Sequence, residues 1–134
     1  MAFGTDERTE VSDAIRAELV ARSHEVIAVG EGDPWPGIGR DVGAAVAAGW
    51  ADWGVVCCWT GTGVSMAANK VPGVRAALCT DAETARGARR WNDANVLAVG
   101  LRLTSPEVAR EMLHAFESTG PDPDEAATIS ELDP

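Results

Sequence analysis

The strongest constraint on the fold is an alternation repeated five times along the chain: short apolar strand, turn, helix. Ala2–Thr5 reads as the first strand and ends at Asp6. A helix follows, with Val11, Ile15 and Leu19 at i, i+4 and i+8. Glu25–Val29 reads as the second strand, closed by Gly30, and Glu31–Gly39 as a loop dense in Gly and Pro. A second helix is expected from Arg40 to about Trp53, with Val42, Val46 and Trp50 on one face. Val55–Cys58 is the third strand and Val64–Asn69 the third helix. Val71-Pro72-Gly73 turns the chain into a fourth strand, Val74–Leu78. Asp81 can cap a helix from Ala82 to about Trp91, and Asn92–Asn95 is a polar turn before the fifth strand, Val96–Val99. Ser105 as N-cap, Pro106 at the first helical position and Glu107 in the first turn start a last helix with the stripe Val108, Met112 and Phe116. Strands this short and this continuously apolar are buried on both faces. That predicts a parallel sheet covered by helices on each side, with few topologies left by the right-handed crossover rule.

The chain has 134 residues, enough for one domain with a real core. Its formal net charge is −10, so no basic stripe exists to neutralise phosphates of nucleic acid or an anionic membrane surface. An anionic substrate would need a locally basic site. Cys57, Cys58 and Cys79 are an odd count within predicted strands, and adjacent Cys57 and Cys58 point to opposite faces, so a disulfide framework is not expected. A reducing cytoplasm fits this cysteine usage. No apolar run approaches the ~20 residues of a membrane span, and MAFGTDERTE does not read as a signal peptide. One α/β domain is expected over 1–118. The tail, 119–134, holds five acidic residues and no basic ones, and reads as solvated chain or as a short docking helix from Glu125 to Leu132.

The chemistry is expected at Gly54–Lys70, GVVCCWTGTGVSMAANK. A strand runs into the glycine-spaced turn Trp59-Thr60-Gly61-Thr62-Gly63 and then into a helix. That arrangement presents backbone N–H groups and a helix N-terminus to an anion or a developing oxyanion. Cys58 occupies the last strand position, where α/β sheets hold their ligands.

Cys58-Trp59-Thr60-Gly61-Thr62-Gly63-Val64-Ser65-Met66-Ala67-Ala68-Asn69-Lys70, followed by Arg75-Ala76-Ala77, resembles the central block of ribose-5-phosphate isomerase type B and its relatives, the galactose-6-phosphate isomerase subunits. Asn92-Asp93-Ala94-Asn95-Val96-Leu97-Ala98-Val99-Gly100-Leu101-Arg102 resembles a second block, and Gly4-Thr5-Asp6 half of an N-terminal one. The resemblance covers about residues 2 to 117. It implies a Rossmann-like three-layer sandwich, a homodimer that in some members pairs into a tetramer, and an active site between two subunits. It also implies interconversion of aldose and ketose through a cis-enediol, with no metal and no cofactor. Thiolates are usable bases when N–H groups and a helix N-terminus stabilise the anion. The same donors stabilise the oxyanion formed on proton loss.

Carried over residue by residue, the resemblance makes Cys58 the base, Thr60 the hydroxyl beside the reacting oxygens, and Asp6 and Asn92 the acidic and amide contacts. Gly61, Thr62 and Gly63 form the oxyanion cradle, and Arg102 is the one matched phosphate contact. Three matched positions depart from the family. Glu7 stands at a phosphate-contacting histidine, Trp91 at the ring-opening histidine, and Trp59 at the glycine after the base. The basic tail segment of the family is replaced by the acidic one. A phosphorylated pentose is therefore disfavoured, and a less anionic, more apolar hydroxy-carbonyl substrate is expected.

Plainer readings stand beside these. Cys58 also reads as a packed strand cysteine, as do Cys57 and Cys79. Asp6 also reads as a helix cap, and Asn92, Asp93 and Asn95 as turn-formers. Trp35, Trp50 and Trp53 read as core or dimer contacts, and Arg86, Arg89 and Arg90 as a solvated helix face. Three function classes follow. One is an isomerase using Cys58. The second is a repurposed lyase or tautomerase acting on a more apolar carbonyl compound. The third is a catalytically silent homologue, its pocket plugged by Trp59 and Trp91, that binds a ligand or a partner subunit.

Overall fold

The computed structural model describes residues 1–22 and 24–133. Five parallel strands form one sheet in the order β2-β1-β3-β5-β4: β1 Ala2–Thr5, β2 Ile27–Glu31, β3 Gly54–Cys58, β4 Ala76–Leu78 and β5 Val96–Gly100. The helices are α1 Glu10–Ala21, α2 Trp35–Ala47, α3 Thr62–Asn69, α4 Ala82–Asn92, α5 Pro106–Ser118 and α6 Ala126–Ser130. This is the Rossmann-like three-layer sandwich.

Strand alternation sorts the core into two halves. Phe3, Val55, Cys57, Leu97 and Val99 face α1, α4 and α5. Ala2, Val56, Cys58, Val96 and Ala98 face α2 and α3. The central strands β3 and β5 are buried at every residue, so a continuous apolar run was the right signature for them. After β2 the chain crosses back over β1 to β3. The crevice between the C-terminal ends of β1 and β3 is therefore the topological switch point of the sheet, the usual ligand position in such folds.

Several boundaries differ from expectation. β2 runs two residues later than expected and includes Gly30, which pairs with Gly4. The space left by these two glycines is filled by Ile38 of α2, whose methyl groups a Cβ at either position would meet at 2.6–2.9 Å. β4 starts at Ala76, because Val74 and Arg75 are held outside the ladder by a turn in which the Asn95 side chain accepts from Arg75 N and donates to Gly73 O.

The largest difference is α2. It starts at Trp35, five residues before the expected Arg40, since Pro36 suits a first helical turn. It stops at Ala47 in a Schellman turn, with Gly49 N donating to Val46 O and Trp50 N to Ala45 O. Trp50 consequently leaves the helix and is exposed, rather than joining the apolar face.

The expected caps at Asp81 and Ser105 are formed, each side chain accepting from the N–H three residues on. Asp6 is not a cap: Thr9 caps α1, in a reciprocal box with Ser12. Arg89 is not solvated either. It bonds Asp93, Ala94 O and Thr119 O and lies over the Phe116 ring.

That contact anchors the start of the acidic tail. Asp122 N then donates to Arg90 O, a 3-10 turn spans Pro123–Glu125, α6 follows, and Asp133 reaches Arg75 at 2.8 Å. The acidic segment is thus held to α4 by the Arg89 side chain and one backbone bond, and to Arg75, just before β4, by an ion pair. No helix among the described residues is long and apolar enough to cross a membrane.

Candidate active site

At the switch point Asp6, Trp35, Cys58, Trp59, Thr60, Thr62, Gly63 and Met66 line an open groove of about 320 Å³. Two strand ends bring them together. β1 ends at Thr5, whose hydroxyl donates to Glu7 O, and Asp6 N donates to Cys57 O across the sheet at 3.1 Å. β3 ends at Cys58, which is 5% exposed and faces the α2/α3 side. Cys57, on the opposite face, is wholly buried. Burial, then the neighbouring Cys58 and Asp6, raise its thiol far above the ordinary range. Burial likewise pushes Cys79 up to about 11. Neither has access to the groove.

The turn that follows is fixed by two glycines. Gly61 has φ +77°, a left-handed conformation, and serves as N-cap of α3 without any side chain to cap it. The first N–H groups of an α-helix have no intrahelical acceptor. A cap with no side chain leaves them free for a ligand. Gly63 sits under the Trp35 ring, where a Cβ would come within 2.9 Å of Cδ2 and Cε3. Thr60 and Thr62 share a hydrogen bond between their hydroxyls at 2.7 Å.

Asp6 is the electrostatic anomaly. Its carboxyl is held above the ordinary carboxylate range by burial and then by the adjacent Glu7. Its Oδ1 is buried with no hydrogen-bond partner among the described residues. A buried acceptor without a donor costs roughly 1–3 kcal/mol, and a hydroxyl of a bound ligand would relieve that cost. Because the folded state favours the protonated form, stability falls as pH rises from the unfolded-state value through the folded one. Asp6→Asn is therefore expected to be more stable than wild type at pH 7, because it carries no charge to desolvate. The gain should shrink as pH drops below about 4, where the carboxyl is protonated in both states. Urea titrations at both pH values measure this. A gain that persists at low pH would mean that charge is not its origin.

Three anticipated contacts lie elsewhere in the chain. Trp91 and Asn92 end α4 and border two other hollows, one with Leu78, Cys79 and Gly87, the other with Thr128, Ile129 and Leu132. The Trp91 ring folds back over Gly87. Neither residue touches the Cys58 groove of its own chain. Arg102 is tied to the turn by its backbone, its N–H donating to Trp59 O, but its exposed side chain does not line the groove. Glu7 is exposed beside Asp6. Asp93 and Asn95 are structural: Asp93 ends α4 at φ +46° and pairs with Arg75 and Arg89. Among the described residues, no group of three or more His, Cys, Asp or Glu is placed to hold a metal ion.

A model of the ribose/galactose isomerase family matches residues 1–130. The chain belongs to that family. Ribose-5-phosphate isomerase B of Escherichia coli strain K12 is 40% identical to it over 121 residues, 87% of this chain and 81% of that protein. D-erythrulose-4-phosphate isomerase of Pectobacterium atrosepticum is 33% identical over 112 residues, 83% of this chain and 74% of that one. The crystal structure of a ribose-5-phosphate isomerase B from Thermotoga maritima matches with a TM-score of 0.92 at 31% identity, covering 98% of this chain and 95% of that one. As a family member the chain is a sugar-isomerase-type enzyme, an intramolecular oxidoreductase of the aldose–ketose kind. Trp35 and Met66 were not anticipated in this ribose/galactose isomerase family site. Trp35 falls in the stretch expected to be loop, and Met66 in the expected third helix, where it carried no assigned role.

Proposed function

We propose that the enzyme isomerises a hydroxy-carbonyl compound other than ribose 5-phosphate, with Cys58 as the base. One observation carries this reading. Among the described residues the Cys58 groove has a carboxyl, two hydroxyls and three large apolar side chains, Trp35, Trp59 and Met66, but no Lys or Arg in its lining. A phosphate dianion would lie near Asp6 and Glu7 without a counter-charge from this chain.

In this scheme the Cys58 thiolate takes the proton from C2 of an aldose. The C–H electron pair becomes the C1–C2 double bond, and the carbonyl electrons move to O1. N–H groups at the start of α3 face that oxyanion. The thiol then returns its proton to C1. The second proton must pass from O2 to O1, and the Thr60–Thr62 hydroxyl pair can accept one proton while giving up another. Asp6 takes a substrate hydroxyl on its unpartnered Oδ1. A second copy of the chain completes the site, bringing its Asn92 and Trp91 to a groove that they do not reach within one chain.

A substrate panel tests this. Wild-type enzyme is assayed with D-ribose 5-phosphate, D-ribose and pentoses whose C5 group is apolar. The expected result is kcat/KM at least about tenfold lower for the phosphate than for the best uncharged compound. Efficient turnover of ribose 5-phosphate would sink the proposal.

A further inference from the structure

We propose that Trp35 is the specificity-determining residue of this groove, stacking its ring on an apolar C–H face or deoxygenated end of the substrate. The inference rests on reading the groove as the reaction site. Its physical basis is the way α2 delivers the ring. Trp35, Gly39 and Gly43 are spaced i, i+4, i+8 and form one stripe of α2. The two glycines press against α3: a Cβ on Gly39 would lie 2.6 Å from Ala67 Cβ and 2.7 Å from Val64 O, and one on Gly43 would lie 3.2 Å from Ala68 O. One turn beyond Gly39 the same stripe carries Trp35, and one turn before Ala67 the facing helix carries Gly63. A Cβ at 39 would run into α3 and one at 63 would run into the Trp35 ring, so the indole lies across the first turn of α3.

Burial separates this tryptophan from a packing residue. A core Trp is largely buried, yet Trp35 is 42% exposed while its contact with Gly63 is at van der Waals limits. One side of the ring is seated and the rest borders the groove beside Cys58. Trp59 and Met66, 52% and 60% exposed, extend that apolar wall. An aromatic ring held there binds a C–H face and offers nothing to a phosphate. Pro34 and Pro36 bracket Trp35 and restrict its backbone, so the ring is preorganised before ligand arrives.

The test compares wild type, Trp35→Ala and Trp35→Phe with two probes on one carbon skeleton, 5-deoxy-D-ribose and D-ribose 5-phosphate. Trp35→Ala should raise KM for the deoxy sugar about tenfold with kcat within about twofold, and leave KM for the phosphate unraised. Trp35→Phe should recover most of the loss. Trp50→Ala, which removes an exposed Trp outside the groove, should leave both KM values unchanged. Equal changes for the two probes, an unchanged KM for the deoxy sugar, or no binding of that sugar by wild type would overturn the assignment. Efficient turnover of the phosphate by wild type, with a selective Trp35→Ala effect on the deoxy sugar, would reject the substrate proposal while keeping Trp35. A change in oligomeric state without a change in either KM would make Trp35 an interface residue instead.

Discussion

Cys58→Ala is expected to lower kcat about 10²–10⁴-fold, the contribution of a positioned proton-transfer group. Solvent deuterium should no longer enter the substrate. The fold should survive. Cys58 is a small side chain at a strand end, 5% exposed, and its removal should cost about 1 kcal/mol. Cys58→Ser should behave similarly, because a hydroxyl is a far weaker base than a thiolate. Cys57 supplies the internal control. It is the adjacent residue on the same strand, but it points into the α1/α5 side of the core and is held protonated by burial. Cys57→Ala should therefore keep kcat within about twofold. The measurement is turnover of the best panel substrate with proton exchange followed by NMR. If Cys58→Ala retained activity within about tenfold of wild type, Cys58 would not be the base, and proton transfer would have to be assigned elsewhere in the groove.

Gly61→Ala is expected to be the most damaging single methyl addition in the site. Two costs add. The φ of +77° lies where an L side chain loses about 1–2 kcal/mol. The added Cβ would also sit 2.8 Å from Gly100 N and 2.9 Å from Val99 C, both backbone atoms of the central strand β5, and 2.6 Å from Leu78 Cδ1. Crowding of that kind costs about 1–3 kcal/mol more. A total loss of about 2–5 kcal/mol follows, read from urea unfolding. Activity should fall as well, because relief of the clash would move the Thr60–Thr62 pair and the open N-terminus of α3 away from Cys58. A loss below about 1 kcal/mol would show that the turn can shift off β5, and that its position is not what makes the cradle.

The two variants probe parts of the site that were legible in different ways. Cys58 and the glycine turn stand in one continuous stretch, so their proximity needs no tertiary information. A strand end, a turn and a helix start are neighbours by covalent connection. The chain's five-fold alternation was enough for the parallel sheet, and the continuous apolar runs of β3 and β5 for burial on both faces. The N-caps at Asp81 and Ser105 were readable because a cap acts only three residues away.

Local signals also misled. Pro and Gly in Glu31–Gly39 argue for a loop, yet Pro36 sits in the first turn of α2, and Gly39 serves a helix–helix contact that local pattern cannot reveal. Trp50 matched the helical spacing but lies beyond a Schellman stop. The plainer reading of Asp6 as a cap fails because Thr9 fills that role, which leaves the Asp6 Oδ1 unpartnered among the described residues.

Sequence by itself determined the layered α/β architecture, the family, and the identity of the cysteine and glycine turn, because each depends on periodicity or on contiguous residues. Only the tertiary structure decided which side chains wall the groove. Trp35 reaches Gly63 because α2 and α3 close on glycines 39 and 43. Trp91 and Asn92 are kept from the groove of their own chain because they end α4, remote from the β1 and β3 strand ends. The acidic tail is held to α4 by Arg89 and the Arg90 carbonyl, and to the segment just before β4 by Arg75. Such contacts join residues distant in the chain, and only the packing of helices on the sheet specifies them.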